Sequence, residues 1–350
     1  MSRAVDSSLL PDGRWHRLEI AFWLAPVACW FLFPGYLVLM SQMMIIGLFA
    51  LSLDLILGYA GIVSLGHAAF FGLGAYTAGL LAAHGWGEPL TGLLAAAVVS
   101  ALFGAITSFL IVRGQDLTRL MVTLGIGLMM YEAANKAAFI TGGVDGLSGM
   151  VMQKLLGVFE FDLNGRTAFV YSFVVLFLLF CGLRRMVNSP FGLSLRGIRE
   201  GGRRMPAIGA NVNQRLTVVF TVGAGVAGIA GALLAQTTQF VGLDSLGFPR
   251  SADLLIMLVL GGTGRLYGAL IGTIVFMLAQ DTIAAMNPTY WQFYIGLLLV
   301  VIVLFARGGI LGGLERIGGF GGRKAARRSR QEQQAKRAQH SRQAQPGEAP

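Results

Sequence analysis

The sequence predicts an all-α polytopic integral membrane protein, and three observations carry that reading. First, 55% of the 350 residues are hydrophobic and only 13% are charged, where a soluble domain is about a quarter charged. Second, apolar runs of about 20 residues recur along the chain, the length that crosses a bilayer as a helix. Third, the polar stretch Ser189–Gln214 lies between two such runs and holds Arg196, Arg199, Arg203 and Arg204 against the single acid Glu200. Short loops rich in Lys and Arg stay on the cytoplasmic side, so this island sets the orientation. About 8–10 transmembrane helices are expected on these grounds.

The elements follow in order. Residues 1–17 form a polar cytoplasmic segment in which Arg3, Arg14 and Arg17 outnumber Asp6 and Asp12. A first helix is predicted over 18–33, closed by the Pro34-Gly35 turn signal, and a second over 36–57, ended by Gly58–Gly61. The apolar stretch 62–83 is dotted with Ser64, His67 and Tyr76 and rich in glycine. Helices are predicted at 91–112 and 118–140, then a loop at 141–166 that opens with TGGVDGLSG, then a helix at 167–184. The basic loop 185–214 contains one short amphipathic helix, 193–204, which Pro206 must end or restart. Gly209 and Asn211 read as its stop and turn. In the helix expected at 215–236, Gly225, Gly228 and Gly231 recur among alanines, a face for close helix packing rather than for lipid. Residues 251–281, interrupted by GGTGRLYG, either cross twice with Arg265 at a cytoplasmic hinge or re-enter. A last helix covers 291–306. The organisation is thus a transmembrane domain over 18–315 and a basic, disordered cytoplasmic tail over 316–350.

Charge and motif content exclude several function classes. The net charge is +10, but residues 321–350 alone hold eight Lys/Arg against two Glu, and the remaining excess sits in loops. Membrane topology and anionic headgroups account for that better than nucleic acid does. No P-loop lysine follows the glycines at 261–268, and neither CxxC nor HExxH occurs. The four histidines stand at 16, 67, 84 and 340, and no catalytic constellation forms around them. The chain reads as no enzyme and as having no cofactor of its own.

What remains is polar chemistry at membrane depth. An ionisable side chain there costs about 2.5–3.5 kcal/mol on insertion scales and ordinarily lines a cavity or pairs. Asp54, His67, Glu132 and Asp253 are the candidates. Asp253 has a simple alternative, capping a helix start together with Ser251. Glu132 and Lys136 are spaced i,i+4 with the acid first, so they read either as a structural ion pair or, with Asn135, as the lining of a path. Asp54 stands near the cytoplasmic end of its helix. Around Ser64 and His67, the glycines at 58, 61, 66, 72 and 74 permit either tight helix packing or backbone unwound at membrane depth, the device by which transporters present polar groups to a solute.

Four blocks now bring in a family. GYAGIVSLGHAAFFGLGAYTAG (58–79) resembles the signature of the M-type permease subunit of branched-chain amino acid ABC importers. RGIREGGRRMPAIGANVNQRLTVVF (196–220) is similar to that family's cytoplasmic coupling segment, and TGGVDGLSG (141–149) and VLGGTGRLYGALIG (259–272) resemble further blocks in the same order. The resemblance covers roughly residues 36–315 and departs from the family at three places. Asp54 stands where Asn is common, Ile62 where Gln is frequent, and Pro206 where a helix former is usual.

The resemblance implies an all-helical permease in the bacterial inner membrane. It would pair with a second permease, two cytoplasmic ATP-binding subunits and a periplasmic solute-binding protein, with ATP held by the partners. Coupling to the ATPases then falls to Arg199, Glu200, Arg203, Arg204, Gly209 and Asn211. The translocation path falls to Asp54, Ser64, Gly66, His67, Tyr76, Glu132, Asn135, Asp145 and Gly146. The solute would be a branched-chain or other small amino acid. Urea and amide importers share this permease type, and an ion-coupled secondary carrier using Asp54, His67 and Glu132 stays open beside it.

Overall fold

The computed structural model describes residues 17–114, 116–154, 165–202, 204–286, 288–305 and 309–310. The segment 1–16, Arg203 and the tail from 311 onward lie outside them, so the expectations placed there are not addressed by the fold. The described chain is helical, with one isolated antiparallel bridge, Leu147 to Val241.

The helices are α1 (Arg17–Leu32), α2 (Leu37–Leu53), α3 (Ala68–Ala83), α4 (Pro89–Arg113), α5 (Asp116–Lys136) and the single turn α6 (Ala138–Thr141). They continue with α7 (Arg166–Val187), α8 (Pro190–Gly201), α9 (Val212–Thr238), α10 (Phe248–Gly261), α11 (Leu266–Met286) and α12 (Trp291–Phe305). Among the described residues six stretches are long and apolar enough to cross a membrane: Pro34–Tyr59, Pro89–Arg113, Leu117–Lys136, Arg166–Val187, Val212–Thr238 and Leu266–Met286. Two shorter apolar helices, Glu19–Leu32 and Ala68–Ala83, join them.

The core is built on α9. Its small residues let α3 and α4 approach to backbone contact, as the sequence pattern predicts. A Cβ on Gly231 would overlap the Phe71 carbonyl, one on Gly74 the Gly228 backbone, and one on Gly228 the Ser100 side chain. Polar groups between these helices satisfy one another. Tyr171 donates to Gln236 Oε1 at 2.9 Å, and Gln236 Nε2 donates to the Pro89 carbonyl at 2.8 Å. On the opposite flank, α1 packs Trp23 against Phe177 and Phe180 of α7, each with centroids 4.9 Å apart. Near the same end, Arg184 pairs with Glu19 at 2.8 Å.

Three expectations are refined by the fold. The helix predicted over 118–140 stops at Lys136; after a turn at Ala137 comes α6, which Gly142 ends in the left-handed conformation (φ 77°). Second, Ser251 and Asp253 do not cap α10, whose N-cap is Gly247. Ser251 instead accepts from the Ala68 amide at 2.9 Å and so caps α3 across the fold. Third, the short basic-loop helix spans 190–201 rather than 193–204, because Pro190 supplies its first turn. Pro206 then opens a separate 3-10 turn, Met205–Ile208, which Gly209 closes at φ 80°.

Residues 251–281 form an antiparallel pair. Gly261 meets Gly268 backbone to backbone, and Gly272 meets Met257. The connector Gly262–Arg265 therefore sits at one end of the bundle, the end that also holds α8. With 14 residues, α10 is about 21 Å long, short of the ~30 Å hydrocarbon core.

Candidate coupling site and membrane path

Helix α2 does not end cleanly. It passes into a π-helical turn, Asp54–Tyr59, and the backbone from Gly61 to Gly66 is non-helical until α3 starts at Ala68. A helix break and close packing thus occur together: the backbone leaves the helix, and a Cβ on Gly66 would overlap the Thr123 carbonyl of α5. A π-turn inside a helix commonly marks a functional position.

His67 sits at the start of α3, fully buried, with its Nε2 2.8 Å from the Ser52 hydroxyl and its ring stacked on Phe49. Ser64 is also fully buried. The first-turn amides of α3 are already occupied: Ala68 by Ser251, Ala69 by the Gly66 carbonyl at 3.1 Å and Phe70 by the His67 carbonyl at 3.2 Å. This helix start is therefore closed by protein groups and is not an open anion cradle. Tyr76 is 5% exposed, one side of the second core cluster that α3 shares with α9 and the 240–246 segment.

Asp54 is fully buried and accepts from the Gly264 amide at 2.7 Å. Gly58 packs directly on Gly264, and the Arg199 guanidinium donates to the Gly58 carbonyl. Beside them, Arg196 stands over the Tyr59 ring at 5.3 Å. Gly58, Tyr59, Arg196, Arg199, Glu200 and Gly264 line a half-open polar cavity of about 440 Å³. Arg199, Glu200, Arg204, Gly209 and Asn211 are exposed on or after α8, and Arg203 lies outside the described residues. Asn211 accepts from the Gln214 amide at 3.2 Å and caps α9, while Arg215 donates to Ser194 at 2.6 Å and ties α9 to α8.

The remaining path candidates stand apart. Glu132 is exposed and Asn135 half-buried on α5, and no ion pair joins Glu132 to Lys136. Asp145 is exposed on a 3-10 turn, and Gly146 (φ 74°) packs against Phe240 and Val241 beside the Leu147–Val241 bridge. These lie at the end opposite α8. Among the described residues no group of three or more His, Cys, Asp or Glu is placed to hold a metal ion.

The contact partners are not legible in the sequence. Gly264, Ser52 and Thr123 are ordinary residues in apolar segments, and Ser251 reads as the cap of its own helix rather than of α3. Only the glycine cluster at 261–264 signalled that backbone comes close to something there.

A helical multi-pass membrane protein with a broken second span and a basic helix docked on the break is the class that this fold defines. The chain matches, over residues 35–303, the family described as the permease component of branched-chain amino acid transport systems, and it belongs to that family. It is 27% identical over 293 residues to the high-affinity branched-chain amino acid transport system permease protein LivM of Salmonella typhimurium, covering 77% of this chain and 68% of that protein. LivM of Escherichia coli K12 is likewise 27% identical, over 295 residues, with the same 77% and 68% coverage. BraD of Pseudomonas aeruginosa, also a high-affinity branched-chain amino acid permease protein, is 25% identical over 285 residues, covering 76% of this chain and 91% of that protein. No solved structure is a significant match.

Proposed function

We propose that this chain is the membrane-spanning subunit of an ATP-driven importer in a bacterial inner membrane. It moves branched-chain or other small amino acids and is energised by separate ATP-binding subunits. The observation that carries the reading is α8. A 12-residue amphipathic helix between two spans is docked on the broken part of α2 through Arg196 and Arg199, with Glu200 exposed at its end. That arrangement suits a soluble partner that grips the helix and moves it. The chain itself carries no nucleotide motif, so ATP is bound by two cytoplasmic partners, and a periplasmic binding protein delivers the solute. Curated relatives are permease components of transport systems, which supports a partnered assembly. The path then runs past Ser64, Gly66, His67, Tyr76, Glu132, Asn135, Asp145 and Gly146, and ends near Asp54.

The second permease packs against α5 in this reading. The 117–136 span is only 11% buried, and it exposes Leu117, Met121, Leu128 and Met129. The same helix exposes Glu132, which lipid would penalise. Gly125 has no atom within 4 Å of where a Cβ would stand. Gly125→Trp is therefore expected to cut co-purification of the second permease about tenfold or more, with the melting temperature of the isolated chain unchanged. Undiminished co-purification would move that interface elsewhere.

One observation favours a second reading. Asp54 and His67 are both fully buried ionisable groups, as an ion-coupled carrier needs. Uptake of labelled leucine into vesicles decides between them. With ATP and no ion gradient, the importer complex accumulates leucine; with a gradient and no ATP it does not. Gradient-driven uptake by the purified chain alone would overturn the importer.

A further inference from the structure

We propose that Asp54 is a positioning residue for energy coupling: its carboxylate latches the α10–α11 turn to the π-turn that α8 grips, so that one movement of α8 shifts both. The inference rests on the importer reading and deepens it.

The line of contacts is continuous. Arg199, the α8 side chain at the start of it, donates to the carbonyl of Gly58 inside the π-turn. Its stem lies over Gly61, whose φ of 75° begins the non-helical segment. Gly58 in turn has no room for a side chain. A Cβ there would run into the Asp54 carboxylate and the Gly264 backbone. Asp54 then closes the line by accepting from Gly264 at 2.7 Å, 210 residues away in sequence. Gly264 holds φ 82° at the hinge between α10 and α11, with Arg199 beside it. Three segments that share no secondary structure are therefore joined, α8 to the π-turn through the Gly58 carbonyl and the π-turn to the α10–α11 turn through the Asp54 carboxylate.

Mechanics follow from hydrogen-bond geometry. A bond of 2.7 Å is lost once its partners separate by much less than 1 Å beyond the normal limit. The coupling helix cannot shift by more than that without either carrying Gly58 and Gly264 with it or breaking the line. Carried along, Gly58 pulls on the unwound 61–66 backbone that leads to His67 and α3, and Gly264 pulls on the α10–α11 pair. A fully buried carboxylate is costly unless it is paired, and an apolar residue would pack here without that cost. A latch that must hold a backbone amide through a movement explains its presence. A rival role, a charge in the solute or ion path, needs the ionised carboxylate; the latch needs only an acceptor oxygen at Oδ1.

The test separates them. The full assembly of this chain with its second permease, ATP-binding subunits and binding protein is reconstituted in vesicles. Labelled leucine taken up and ATP hydrolysed are both counted. Wild type gives a fixed ratio, and uptake without hydrolysis in wild type would sink the importer reading itself. Asp54→Leu is expected to raise ATP spent per leucine about tenfold, the upper scale of losing one ordinary hydrogen bond. Asp54→Asn, which keeps the acceptor, is expected to stay near the wild-type ratio. Arg199→Ala should also raise the ratio and should add little to Asp54→Leu, since both cut one line. A wild-type ratio in Asp54→Leu overturns the latch, as does an Asp54→Asn variant as impaired as Asp54→Leu. Should Asp54→Leu fail to assemble, Arg199→Ala decides, because that residue is exposed and its loss leaves no buried cavity; a wild-type ratio in it overturns the proposal.

Discussion

Exchanging the charges of Glu200 and Arg204, as Glu200→Arg with Arg204→Glu, is expected to abolish leucine uptake while leaving the protein inserted and folded. Both side chains are exposed at the end of α8 and beyond it, so neither change creates a cavity or buries a charge. The exchange leaves the Lys/Arg count of the loop unchanged, and that count is what sets membrane orientation. What changes is the pattern of charge offered to a partner. Opposed like charges at an interface cost several kcal/mol, roughly a thousandfold in affinity. The ATP-binding subunits should therefore fail to co-purify, and uptake should fall to background. Normal uptake in the double variant, with normal membrane levels, would remove α8 from the coupling role.

The second large effect is structural. Gly231→Ala is expected to destabilise the bundle by about 3 kcal/mol or more, the upper range for overpacking a filled core. A single methyl at 231 points at the Phe71 carbonyl and the Ala75 amide of α3, and both are backbone. Backbone cannot rotate aside, so α3 must move off α9 and take Tyr76 and His67 with it. Gly182→Ala is the matched control. That glycine is exposed on α7 with nothing within 4 Å of a Cβ, and alanine is the better helix former by about 1 kcal/mol. Thermal melting in detergent should show the first variant several degrees lower or absent, and the second unchanged or higher. Equal behaviour of the two would mean that the α3–α9 contact leaves room for a methyl at 231.

This pair of glycines shows where sequence legibility stops. Hydropathy and composition locate the long spans to within a few residues, since a run of apolar residues in a bilayer has only the helix available to satisfy its backbone. The helix predicted at 215–236 is observed at 212–238, and that at 167–184 is observed at 166–187. Small-residue spacing marked α9 as a packing helix, and its 78% buried span agrees. Yet that spacing, which Gly231 shares and Gly182 lacks, does not say which backbone the glycine meets. Only the neighbour that each meets makes one indispensable.

The candidate site divides in the same way. Lys/Arg density singled out the α8 region, and glycine density singled out 58–66, because both are local properties of composition. The family blocks put them in a common register with known permeases. Neither property says that the two regions touch.

By itself, then, the sequence determined the class of protein, the positions of the long apolar helices, and which two stretches are unusual in composition, all of it encoded over fewer than about 25 residues at a time. Tertiary structure alone decided that Ser251 closes the start of α3 and that Asp54 reaches the turn at Gly264. Such contacts join segments some 200 residues apart through single hydrogen bonds, and no local periodicity records which distant amide a buried oxygen will find.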